Sequence, residues 1–289
     1  MKIEDFVDMH VHIGPEPIPR RFTLQELMDE EKGRIGGMVL KNHFYPTMPI
    51  VKSMRMPDGL TLIGSVVLNN YVGGLNPDAV YGAAKISELP LMVWFPTINA
   101  KNFLENSEYE IRPEWVGEGF GSRLSKDVKG IGVLDGSGKL TAQAMEVLRA
   151  IKDNDCILAT GHVSSEEARA MVTEALGMGI RRIVLTHPMY QLIDMPIDMQ
   201  KELTAAKGVY VEVPYSMHSI DGISMSQLAR NIREVGPERC IISSDTGQIN
   251  RPSPSEIMAD YVDRLKAEGI DDEALHKMGS TNPNKLITR

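Results

Sequence analysis

What most constrains this chain is a rhythm. Short apolar segments alternate with helix-forming stretches from one end of the sequence to the other. Segments 6–12, 37–41, 60–68, 91–95, 156–160, 182–186, 208–213 and 240–244 are near-continuous apolar runs, the pattern of parallel strands buried on both faces. The stretches between them carry helix starts. Thr23-Leu24-Gln25-Glu26, Ser164-Ser165-Glu166-Glu167 and Ser224-Met225-Ser226-Gln227 read as capping boxes, and Ser253-Pro254-Ser255-Glu256 adds a proline at the first helical position. Apolar residues at 144, 145, 147, 148 and 151 form one helical stripe. Eight βα alternations are what an α/β fold of the (β/α)₈ TIM-barrel type requires. A doubly wound open sheet is the competing architecture, but no Gly-x-Gly-x-x-Gly follows the first strand.

The rhythm breaks once. Stretch 98–139 carries Arg112-Pro113-Glu114-Trp115, then Gly117, Gly119 and Gly121, and ends in a hairpin signal at Asp135-Gly136. It reads as an insertion after the fourth strand, lying over the barrel mouth of a single domain spanning 1–289. Trp115 and Phe120 are its candidates for a lid that excludes water, against an ordinary exposed loop.

Charge narrows the partners. The chain has 39 acidic and 31 basic residues, a formal net charge of −8, which disfavours nucleic acid and anionic membrane surfaces. No apolar run reaches the ~18 residues of a membrane span, and the start, MKIEDFVDMHVH, lacks signal-peptide form. A cytoplasmic protein acting on a small molecule is expected, as a homo-oligomer. Cys156 and Cys240 begin predicted strands, hence at the stability face of the barrel, and read as small buried hydrophobes.

The histidines carry the chemistry. Of seven, five lie at predicted strand ends: His10 and His12 on the first, His43 after the second, His162 after the fifth and His187 after the sixth. Asp245 ends the eighth. Parallel barrel strands open their C-termini on one face, where active sites of this fold lie, so residues far apart in sequence converge there. Alternation puts Asp8, His10 and His12 on one face of the first strand. Imidazole and carboxylate suit Zn²⁺, and Mn²⁺ or Fe²⁺ would also fit, with one or two ions per chain. A lone His-x-His is usually incidental; the set of His10, His12, His162, His187 and Asp245 in this order is not. His43 reads as a ligand, a substrate contact or a loop histidine. His218 reads as a loop residue and His276 as structural.

On these residues the sequence resembles the amidohydrolase superfamily, metal-dependent hydrolases on a distorted barrel. The matching motifs are His10-Val11-His12, Gly161-His162, Thr186-His187-Pro188, Ser244-Asp245 and the tail Asn282-Pro283-Asn284-Lys285-Leu286, with Val39-Leu40-Lys41-Asn42-His43 and Asn69 pointing to an uncharacterised branch. The resemblance implies that His10, His12 and Asp245 hold a metal, that His162 and His187 hold a second or divide into ligand and catalytic residue, and that Asp245 takes the proton from the attacking water. The fourth strand departs from the pattern, because Trp94-Phe95-Pro96-Thr97 offers no bridging lysine or glutamate. Either Lys41 is carboxylated and bridges two ions, or one ion binds and Lys41 grips a substrate carboxylate, as in the decarboxylase branch. Arg20 and Arg21, after the first strand, are placed to meet a carboxylate or are simply solvated; Asn42, Tyr45 and Asn69 are candidate polar contacts at the same rim. Glu212 points inward or outward with equal warrant. A hydrolase of an amide, ester or lactone bond is the first expectation, and a one-metal decarboxylase of a small unsaturated acid the second. A phosphoesterase of the polymerase-and-histidinol-phosphatase type shares Asp8-x-His10-x-His12 but has a histidine where Thr246 stands. A metal-binding barrel without turnover is the non-enzymatic alternative.

Overall fold

All eight apolar segments form parallel strands. The computed structural model describes residues 1–116, 122–123 and 127–288. In chain order its strands are β1 (Val7–His12), β2 (Gly37–Lys41), β3 (Thr61–Ile63), β4 (Ser65–Val67), β5 (Met92–Trp94), β6 (Tyr109–Ile111), β7 (Ser122–Arg123), β8 (Ile157–Ala159), β9 (Ile183–Leu185), β10 (Val209–Pro214) and β11 (Cys240–Ser243). One arc runs β1-β2-β3 and a second β4-β5-β8-β9-β10-β11. The arcs meet at two seams. Val11 bridges in parallel to Thr246, just past β11, and the His12 amide donates to the Thr246 carbonyl at 2.7 Å. The fold is thus a distorted (β/α)₈ barrel.

The other seam corrects an expectation. Segment 60–68 was expected to be one strand, but it breaks at Gly64 into β3 and β4. A Cβ on Gly64 would stand 2.7 Å from Met48 Cα and 2.6 Å from its sulfur, because the helix Met48–Ser53 begins against this point. Thr47 fills the missing ladder position. Its hydroxyl accepts from the Ser65 amide at 2.7 Å and its own amide donates to the Ser65 carbonyl at 2.9 Å.

The anticipated caps form. Thr23, Ser164, Ser224 and Ser253 each close a capping box, opening helices Leu24–Glu31, Ser165–Gly177, Met225–Val235 and Pro254–Ala267. Apolar side chains divide into two layers. Val7, Met9, Val39, Ile63, Val67, Met92, Trp94, Ile157, Ala159, Val184, Tyr210 and Ile241 pack in the barrel interior, with Leu286 and Ile287 of the helix Asn282–Ile287 against them. The larger layer lies between strands and helices.

In the stretch after β5, the helix Lys101–Glu105 leads into an antiparallel pair of β6 and β7, with the short helix Pro113–Val116 between them. The turn at Asp135 forms, with its amide donating to the Lys139 carbonyl at 2.7 Å. Phe120, with Gly117, Gly119 and Gly121, lies outside the described residues. Among the described residues no helix is long and apolar enough to cross a membrane.

Candidate metal centre

β1 does not alternate simply. Its register against β2 shifts between Asp8 and Val11, so Val7 and Met9 pack in the interior while Val11 packs outside. The shift lets His10 and His12 both reach the mouth. It also separates Asp8 from them, contrary to simple alternation: one Asp8 oxygen accepts from the His10 amide at 3.1 Å and the Ser244 amide at 3.0 Å. Its other oxygen is buried without a partner among the described residues, and burial pushes the carboxyl up to about 7.

Asp245 meets both imidazoles. Its Oδ1 lies 3.1 Å from His10 Nε2 and 3.0 Å from His12 Nε2, and one donor atom from each of the three residues falls within 4.8 Å of the others. Its Oδ2 accepts from the Ser216 hydroxyl at 2.7 Å. Burial works to raise the Asp245 carboxyl, but His10, His12 and Lys41 hold it well below the usual range. Burial, with Arg20 nearby, keeps His12 neutral by lowering it well below its ordinary value. A carboxylate and neutral imidazoles are the protonation states a divalent cation needs.

His162 and His187 arrive by strained turns. Gly161 has φ +68°, and a Cβ there would meet the Phe95 carbonyl at 2.3 Å, so only glycine lets the chain press against the end of β5 and deliver His162. His187 and Asp245 take φ of 26° and 50°; side chains held in this region cost about 1–3 kcal/mol each, and such residues cluster at functional sites. Among the described residues, the Nδ1 atoms of His162 and His187 are both buried without a hydrogen-bond partner. Burial drives His187 down to about 4 and His162 well below its ordinary value. Two unpartnered neutral imidazoles beside the His10–His12–Asp245 group are a donor set that fits a divalent cation.

Lys41 belongs to the same cluster. It is fully buried, with Nζ 2.9 Å from His10 Nε2 and 5.1 Å from the centre of the Trp94 ring. Burial lowers its ammonium to about 8, despite Asp245 and Glu212 nearby.

The remaining candidates divide. Arg20 lines the cavity, but its Nε is tied to Glu16 and its Nη2 lies 3.1 Å from His12 Nδ1, so it braces His12. His43 also lines the cavity, held by Thr97 Oγ1 at 2.9 Å from its Nδ1. Asn69 is fully buried and is not among the cavity-lining residues. Its oxygen accepts from the Thr97 amide at 2.8 Å, and its nitrogen donates to the His43 carbonyl at 3.1 Å and to Thr97 Oγ1 at 2.9 Å. It supports His43 instead of facing a ligand. Asn42 likewise spends its amide on backbone, accepting from Phe44 and Tyr45. Arg21 donates to the Arg251 carbonyl away from the cluster.

Glu212 points inward. It accepts from Ser243 at 2.7 Å and from the His187 amide at 3.2 Å, and its Oε1 lies 2.8 Å from His10 Nδ1. A proton on Nδ1, bonded to Glu212, would leave the His10 Nε2 lone pair facing Asp245 and Lys41. Tyr190, Ser216, Ile220 and Asp221, which had no strong sequence signal, line a cavity together with His12, Lys41, His162, His187 and Asp245. Trp115 closes part of its wall, stacking on Phe103 with centroids 5.5 Å apart.

Solved structures share this architecture. An amidohydrolase from Pseudomonas aeruginosa aligns with TM-score 0.61 at 12% identity, over 98% of this chain and 96% of that one. A probable dipeptidase from the same organism gives 0.62 at 11% identity, over 97% and 94%. A 2,6-dihydroxybenzoate decarboxylase from Rhizobium gives 0.51 at 13% identity, over 99% and 98%. At these identities the likeness is one of fold: the chain shares the barrel architecture of these solved structures. No curated protein matches the sequence. Residues 5–212, well over half of the chain, match the model of DUF6282, a family of unknown function, and the protein belongs to that family.

Proposed function

We propose that this protein is a metal-dependent hydrolase that opens an amide, ester or lactone bond of a small molecule. The observation that carries the reading is the convergence of His10 Nε2, His12 Nε2 and Asp245 Oδ1 at the barrel mouth. His10, His12 and Asp245 would hold the ion, with His162 and His187 completing its sphere or holding a second; Zn²⁺ suits the donors best. A divalent cation there supplies Lewis acidity, polarising a carbonyl and easing the ionisation of water.

The chain's own groups do the rest. Asp245, fixed by Ser216, accepts a proton from the attacking water and passes it to the leaving group. His187, where it is not a ligand, stabilises the oxyanion as the carbonyl carbon becomes tetrahedral. Lys41, with an ammonium near 8, has a neutral amine within reach of physiological pH, the form that carboxylation of its nitrogen requires. Trp115 and the rest of the wall narrow the access of bulk water.

A panel of small amides, esters and lactones, assayed with Zn²⁺ or Mn²⁺, tests this directly. At least one member should be turned over, and Asp245→Asn should lower that rate by about a thousandfold or more while the protein remains folded. Retained activity in Asp245→Asn would overturn the assigned proton transfer. One observation favours a lyase as the second reading: among the described residues a single group of three donors fits an ion, with the Lys41 cation beside it. Ion content near one per chain favours the decarboxylase, and near two the hydrolase.

A further inference from the structure

Among the described residues, one carboxylate lining the cavity has no hydrogen-bond or ion-pair partner. Asp221 follows the short helix Ser216–Ser219 and lines the same cavity as His12 and Asp245. Its carboxylate makes no hydrogen bond or ion pair with any described residue. The neighbouring charged groups are already engaged. Arg112 donates to the Tyr190 hydroxyl at 2.9 Å and pairs with Glu114 at 2.5 Å. Arg20 is held by Glu16, and Asp245 by His12 and Ser216. Ile18, Trp115, Met217 and Ile220 supply apolar side chains to the same cavity.

We propose that Asp221 is the specificity-determining residue of the cavity, selecting small molecules that carry a protonated amine at the end remote from the reacting bond. An isolated carboxylate in a partly apolar cavity costs free energy unless a ligand supplies its partner, and a ligand cation recovers that cost on binding. Burial, reinforced by the charge of Asp245, pushes the Asp221 carboxyl up to about 7, as expected of a carboxylate short of solvation and counter-charge. Arg112 is close enough to oppose that rise, yet it is bonded elsewhere. The apolar side chains suit a hydrocarbon or aromatic arm, with Trp115 as a flat contact. The inference rests on the cavity being the substrate pocket, as in the hydrolase reading; the experiment below measures binding alone, so a failed turnover panel and a failed binding test are separate results.

Isothermal titration at pH 8 with 2-phenylethylammonium and its neutral counterpart 2-phenylethanol tests the inference. The wild-type protein should bind the ammonium roughly ten- to a hundredfold more tightly than the alcohol. Asp221→Asn should erase that preference and leave the alcohol's affinity within about twofold. Asp221→Glu, which keeps the charge, should retain part of the preference and guards against a folding defect in the first variant. Equal affinity of the wild type for both probes, no binding of the ammonium, or an undiminished preference in Asp221→Asn would each overturn the proposal.

Discussion

Glu212 shows how a residue two steps from the chemistry can govern it. Its carboxylate, on β10, bonds His10 Nδ1, the Ser243 hydroxyl and the His187 amide, joining β1, β11 and the end of β9. Glu212→Gln keeps the volume but removes the charge that favours a proton on His10 Nδ1. Metal affinity should fall by about 10–100-fold, measured by competition with a chelator, while thermal unfolding of the metal-free protein shifts little. At this scale the sequence was legible where the strand-end rule applied. His12, His162, His187 and Asp245 line the cavity because each lies at or just past the C-terminal end of a parallel strand, with His10 beside them on β1. Asn69 was misleading for a physical reason. A strand-end amide is equally suited to a ligand and to unpaired backbone, and here the Thr97 and His43 backbone takes it. Asp221, Tyr190 and Ser216 sit in loops or a short helix whose path no periodicity reveals.

At the scale of elements, the joint between β3 and β4 is the most exacting feature. Gly64 adjoins the start of Met48–Ser53 so closely that a single methyl group has no room. Gly64→Ala should destabilise the protein by about 1–3 kcal/mol, read as a lower urea midpoint with an unchanged m-value. Apolar runs and helix caps announced the other strands and helices, but nothing in segment 60–68 reveals that a neighbouring helix start interrupts it. The β1 register shift was hidden in the same way. Period-two alternation put Asp8 with His10 and His12, and only the pairing of β1 with β2 shows the change of phase.

The whole molecule concentrates neutral histidines in one buried place, and this fixes how the metal-free protein responds to acid. His12, His43 and His162 lie well below their ordinary values and His187 at about 4, chiefly through burial. In the unfolded chain they would protonate near pH 6.5. Between about pH 6.5 and 4 the unfolded state therefore binds more protons at these four groups, and stability falls as pH falls. Asp8 and Asp221, raised to about 7, act in the opposite direction, since folding favours their protonated forms. The four histidines outnumber the raised carboxyls Asp8, Asp221 and Glu31, so the balance is a net loss of stability as pH falls. Urea titrations of metal-stripped protein at pH 7 and pH 5 should show the lower midpoint at pH 5; equal midpoints would mean that these imidazoles are not neutral in the folded state.

A bound cation would hold those histidines together and favour the folded state. Equilibrium dialysis of metal-stripped protein against Zn²⁺ measures that directly. Wild-type protein should retain at least about one ion per chain, and the His10→Ala/His12→Ala double variant, still folded, should retain none. A wild-type protein that binds no divalent ion, or a double variant that binds as tightly as wild type, would contradict the metal centre at the barrel mouth.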